Sequence, residues 1–227
     1  MALVIKSDTL IVGEGDRDAV FFKHLCEKRG ITRFQCEHGK GIDNFPEYFL
    51  GHTGWTNFDE LRALIVVADN DADAGKCIEK VQKALRGVKL PAPDNPLEWV
   101  KRDDSPKVTI IQMPFDGTPG KLGCLETLVL QAMESTYKLQ ADCARQLFQC
   151  TGADKWKTRS SRDKFLLRSI LTSLWEENPN SGLKECIEHN LIPFNHPVFD
   201  PLAEVLSTLH TWFDSGIRNW HDWKSGH

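Results

Sequence analysis

The stretch Leu10–Leu25, LIVGEGDRDAVFFKHL, decides the fold. The apolar run Thr9–Val12 has the character of a buried strand. It breaks at Gly13-Glu14-Gly15, and Val20, Phe21, Leu25 and Cys26 then recur near one face at helical spacing until Gly30. Strand, tight turn and helix make the opening unit of an α/β protein. The same turn sets Glu14 and Asp18 four residues apart, and two accounts of that pair compete. Either the acids start the helix, capping free N–H groups and suiting its dipole, or they are half of a metal site completed elsewhere in the chain.

Outward from this unit the pattern repeats. TRFQCEHG (Thr32–Gly39) reads as a second strand, KGIDNFPEYFLG (Lys40–Gly51) as a short helix or turn, and RALIVVA (Arg62–Ala68) as a buried third strand. After DNDADAG (Asp69–Gly75) a helix is expected over about Lys76–Leu85, with Ile78, Val81 and Leu85 on one side. Pro91–Lys107, rich in proline and charge, reads as an excursion. VTIIQMP (Val108–Pro114) is a fourth strand, followed by FDGTPGKLG and a helix over about Leu125–Tyr137. Alternating strands and helices predict an α/β fold with a mainly parallel four-stranded sheet flanked by helices, over residues 1–135. Beyond about Ser135 the strand signals stop. Phe165, Leu166, Ile170, Leu171 and Leu174 form one helical stripe, and Leu202, Val205, Leu206, Leu209 and Phe213 another, so residues 136–227 are expected to be a C-terminal helical extension.

Composition limits the functions available. With 227 residues, 41% of them hydrophobic and 26% charged, the chain can bury one principal core and lacks the signature of disorder. Its formal charge of −4 excludes a globally basic nucleic-acid-binding domain, so any such contact must be local. The opening MALVIKSDTLIVGEG lacks the apolar core and cleavage site of a secretory signal. No apolar run approaches the roughly 20 residues that span a bilayer, so a cytoplasmic protein without membrane association is expected. Seven scattered cysteines with no Cys-x-x-Cys pair predict reduced, mostly buried thiols rather than disulfides or a zinc site.

In a parallel sheet, ligands sit beyond the carboxyl ends of the strands. Glu14 and Asp18 follow the first strand here, Asp69, Asp71 and Asp73 the third, and Glu126 the fourth. Any one of these acids alone is explained as a cap. Capping needs one acid per helix, however, and the third loop offers three. Acids gathered from adjacent strands would repel one another at a cost of several kcal/mol unless a cation neutralised them. Mg²⁺ or Mn²⁺, hard and oxygen-seeking, suits such a set, and two such ions about 4 Å apart would suit a phosphodiester.

The stretches LIVGEGDRDAVF and LIVVADNDADAG, and more loosely MPFDGTPGKLGCLETLVL, resemble the Toprim fold. Type IA and type II topoisomerases, bacterial primases and the overcoming-lysogenization-defect (OLD) nucleases share that fold; compact proteins related to the OLD nucleases are the nearest in pattern. The resemblance covers about the first 135 residues. It implies Glu14 as a general acid or base and metal ligand, Asp18 as the acid four residues on, Asp69 and Asp71 as the Asp-x-Asp ligands, and Glu126 as an additional acid. The family's glycine is displaced here, with Ala74 in its place and Gly75 next, which leaves Asp71 and Asp73 open as the alternative pair. The chain has neither topoisomerase gates, nor a primase zinc module, nor a P-loop, so either it is a stand-alone nuclease or an ATPase of the OLD kind is a separate chain.

Of the cations near the ligand edge, Lys40, Lys76 and Lys121, Lys121 in TPGKLG is the preferred transition-state stabiliser. The run Lys155–Lys164, KWKTRSSRDK, mixes basic residues with Trp156 as a strand-tracking groove does, though a charged helix start reads the same way. Trp212, Trp220 and Trp223 are expected to pack on the helical extension. The expected function is a Mg²⁺- or Mn²⁺-dependent nuclease acting on DNA or RNA, in phage defence or nucleic-acid processing. The alternative is a non-enzymatic, metal-binding regulatory subunit that works with a partner such as an ATPase.

Overall fold

The computed structural model describes residues 3–118 and 120–215, with side chains followed to Thr208. Leu209, Trp212, Phe213, Trp220 and Trp223 therefore lie outside the described side chains.

Strands β1 (Thr9–Gly13), β2 (Phe34–His38), β3 (Ala63–Asp69) and β4 (Lys107–Met113) form one sheet in the order β2-β1-β3-β4, every pair parallel. Helices α1 (Asp16–Lys28), α2 (Phe45–Leu50) and α3 (Ala74–Gly87) are the crossovers, and α4 (Leu125–Thr136) follows the last strand. The expected α/β architecture, a four-stranded parallel sheet flanked by helices with helices after it, is the one observed.

Alternation along the strands sorts the core into two layers, because successive side chains point to opposite faces. Leu10, Val12, Leu64, Val66, Val108 and Ile110 pack with Phe45 and Phe49 of α2 and Val81 and Leu85 of α3. Ile11, Ile65, Val67 and Ile111 pack on the other face with Phe21 and Phe22 of α1 and Leu128 and Val129 of α4. Each fully buried side chain of this size contributes roughly 1.5–3 kcal/mol.

The helices after α4 are α5 (Lys138–Cys150), α6 (Arg159–Leu174), α7 (Leu183–Glu188) and α8 (Asp200–Ser215). Leu167 and Ile170 of α6, Cys186 of α7 and Leu202 and Val205 of α8 join the same core layer as α1 and α4. The helical extension thus thickens one face of the sheet and shares its core.

The polar excursion 91–107 carries more structure than its composition suggests. Leu97 and Trp99 are buried, and Val100 pairs antiparallel with Val108, covering the outer edge of β4. The seven cysteines are all free and mostly buried, as expected, with Cys143 and Cys150 exposed. No helix among the described residues is long and apolar enough to cross a membrane.

The topology decides where a ligand can sit. From β1 the chain turns into α1 on one face, whereas from β3 it turns into α3 on the other. A crevice opens between adjacent strands whose following loops part in this way.

Candidate metal centre

Three strand ends meet at that crevice. Gly13 closes β1, and a Cβ there would come within 2.4 Å of the Asp18 Cβ. Only glycine lets the first turn of α1 lie so close to the strand end. The Asp18 carboxylate accepts a hydrogen bond from the Gly15 N–H at 2.7 Å, so it secures its own helix start. It is also buried, 7% exposed, among other acids.

Glu14 and Asp69 reach across strands instead. The Glu14 Oε2 accepts from the Asp69 backbone N–H at 3.4 Å, a long contact that nevertheless fixes the carboxylate at the end of β3. The Asp69 Oδ1 accepts from the Leu125 N–H at 2.9 Å, at the start of α4, a helix 56 residues away in the chain. Asp69 therefore serves another element's N-terminus rather than that of α3, the helix that follows it.

The loops after β3 and β4 are zipped together, which brings Glu126 in. The Asp71 N–H donates to the Gly123 carbonyl at 2.6 Å and the Gly123 N–H to the Asp71 carbonyl at 3.0 Å. Asp71 adopts the left-handed conformation, φ 45°, which aspartate tolerates better than most residues. The next residues, Cys124 to Glu126, then lie against Asp69. One ligand atom each from Asp69, Cys124 and Glu126 lies within 4.8 Å of the others.

Glu14, Asp69, Asn70 and Asp71 line an open cleft of about 320 Å³. Asp18 and Glu126 are buried at 7% and 5% exposure. Arg17 pairs with Glu126 through Oε1, and Lys164 of α6 lies 3.9 Å from its Oε2. Lys76 and Lys80 also line the cleft, paired with Asp73 and Asp43 respectively.

Electrostatics follow from this crowding. Burial, with the charges of Asp18, Glu126 and Glu14, pushes the Asp69 carboxyl well above the usual carboxylate range, against the Leu125 hydrogen bond. Burial, then Glu14 and Glu126, raises Asp18 to about 6 despite the Gly15 hydrogen bond and Arg17. Glu14 is raised by burial and Asp71, opposed by the Asp69 and Ile42 N–H groups and by Lys164. Burial also pushes the Cys124 thiol up to about 12. Burial disfavours the Lys164 charge, but Glu126 and its neighbours outweigh it and hold its pKa above the ordinary lysine value.

Of the acids singled out in the sequence, Glu14, Asp18, Asp69 and Glu126 converge, and Asp71 stands exposed at the mouth. Asp73 behaves otherwise: exposed, it accepts from the Lys76 N–H at 3.0 Å as the cap of α3, and its carboxylate lies 3.3 Å from the Lys76 ammonium. Lys121 pairs with Asp116, while its carbonyl accepts from the Asn70 side chain at 2.8 Å. Lys40 is exposed with φ 61°. Sequence reasoning missed Arg17, Cys124 and Lys164. The only signal for Lys164 was its place in the basic run, and Arg17 stands in the opening stretch with nothing to show which way it points.

No curated protein and no solved structure matches the chain. The family model described as Protein of unknown function (DUF3226) matches residues 8–211, spanning the sheet and its helical extension alike, and the chain belongs to that family.

Proposed function

We propose that the protein is a Mg²⁺- or Mn²⁺-dependent nuclease that hydrolyses phosphodiester bonds of DNA or RNA through a Toprim-like carboxylate site. One observation carries the reading: Glu14, Asp18, Asp69 and Glu126 converge from three strand ends, where burial and neighbouring carboxylates raise Glu14, Asp18 and Asp69, the charge felt by Glu14 being that of Asp71. The nearby cations are already engaged, Arg17 and Lys164 by Glu126, Lys76 by Asp73 and Lys80 by Asp43, and a divalent ion would relieve the crowding of acids.

Glu14, Asp69 and Asp71 would hold the ion from the cleft, with Asp18 and Glu126 on its buried side. A donor set made up chiefly of carboxylate oxygens suits a hard cation. Such an ion supplies Lewis acidity toward a phosphoryl oxygen. Glu14, its carboxyl raised by burial above the ordinary value and open to the cleft, can hold or take up a proton at its oxygens beside the scissile phosphate. Lys164 takes the place expected of Lys121, a cation within reach of the acids and able to meet a phosphate oxygen.

The test is plasmid nicking by the purified chain in Mn²⁺. Activity abolished by Asp69→Ala and by Glu14→Gln is the expected result. Equal activity in those variants would refute it. Inactivity of the purified chain alone, with activity restored by a co-purifying ATPase, would favour the regulatory-subunit reading, to which the net charge of −4 is also suited.

A further inference from the structure

Beside the acidic cleft, α5, α6 and their connection enclose an open groove of about 580 Å³ lined chiefly by apolar surface. Leu147 of α5 is 44% exposed there and Trp156 is 47% exposed. Trp156 is held edge-to-face on Phe165, ring centroids 5.5 Å apart, and Phe165 in turn packs on Phe148 at 5.8 Å. The indole is thus fixed in place while about half its surface stays open, an arrangement that a core has no use for.

The segment that forms the groove is opposite in sign to the molecule. Residues 155–168, KWKTRSSRDKFLLR, carry six cations against one acid, a local charge of +5 in a chain of −4. Of these, Lys164 and Arg168 line the groove itself, Arg159 and Asp163, 3.3 Å apart, line a separate pocket against α5, and Lys155 and Lys157, flanking Trp156 in the chain, are exposed. Lys164 links the two places: it lines the groove, and its ammonium lies 3.9 Å from Glu126.

We infer that this groove binds single-stranded nucleic acid, with one base stacked on Trp156 against Leu147 and Phe165, the basic rim on the backbone, and Lys164 leading the strand toward the acids. The inference rests on the nuclease reading and names its substrate class. An open aromatic with a cationic rim recognises an unpaired base, because a base within a duplex has no free π-face to offer. A purely electrostatic site for duplex DNA would have no need of the fixed indole.

The experiment is fluorescence anisotropy of labelled oligothymidine and of a matching duplex, with the full chain in EDTA, so that binding is read without cleavage. Trp156→Ala should weaken oligothymidine binding about tenfold, and Trp156→Phe should retain most of it. Paired Lys157→Glu and Arg162→Glu should flatten the salt dependence. Equal binding by wild type and Trp156→Ala, or duplex bound as tightly as single strand, would overturn the inference. So would a dimer in sedimentation that Trp156→Ala dissolves, since the groove would then be an interface between copies. Intact Trp156-dependent binding with no Mn²⁺-dependent cleavage would sink the nuclease reading and leave the groove standing.

Discussion

Removing a charge from the acidic centre should stabilise the protein when no divalent ion is present. The sharpest case is Asp18→Asn. Asp18 has a carboxyl pKa of about 6 in the fold against an ordinary 3.8, raised by burial and then by Glu14 and Glu126. A carboxyl raised in the folded state binds more protons there than when unfolded. Stability therefore falls as pH climbs from about 4 to about 6, and the full penalty persists above that. About two units at 1.36 kcal/mol each amount to roughly 3 kcal/mol, and the near-complete burial of Asp18 leaves little solvent screening to reduce it. Asparagine keeps an oxygen for the Gly15 N–H and discards the charge. In a chain of this size the gain corresponds to roughly 6–12 °C in Tm. Thermal unfolding in EDTA at about pH 8 should show that rise, and the difference should vanish near pH 4. Added Mg²⁺ should raise the Tm of the wild type more than that of the variant, by mass action on the folded state. An Asp18→Asn variant no more stable than wild type in EDTA at about pH 8 would refute the claim that these acids strain one another.

The remaining predictions are simpler. Asp73→Ala should lower thermal stability modestly as a lost cap of α3 and leave Mn²⁺ affinity, read by calorimetry, unchanged. Lys164→Ala should lower Mn²⁺-dependent nicking by about 10²-fold or more in kcat, whereas Lys121→Ala, whose ammonium is engaged by Asp116, should cost much less; single-turnover kinetics separate the two. Gly123→Ala should destabilise the chain by more than 1 kcal/mol in urea unfolding, because φ there is +132° and the new Cβ would meet the Thr127 Oγ1 at 2.5 Å.

Much of this protein can be read from its sequence, because local pattern reports on local physics. The β-branched runs at Thr9–Val12, Arg62–Ala68 and Val108–Pro114, each followed by helical spacing, announce strands buried on both faces. Parallel connectivity then places the residues after those strands at a single edge, which is how Glu14, Asp69 and Glu126 could be chosen before any coordinates. The excursion was harder to read: Leu97 and Trp99 stand isolated among prolines and charges, and nothing local tells an apolar residue in a loop that it will cover a sheet edge.

Tertiary structure alone decided which acids converge and which cations approach them. Asp69 and Asp73 look equivalent in DNDADAG, yet one carboxylate turns to the start of α4 and the other caps α3, because Asp71 and Gly123 lock two loops together. Lys121, near in sequence to the expected site, is held by Asp116, while Lys164, far along the chain, arrives on a helix packed against α4. Periodicity fixes which face of its own element a residue occupies. The approach of two side chains from distant elements depends on the packing of everything between them, and that information is spread over the whole core.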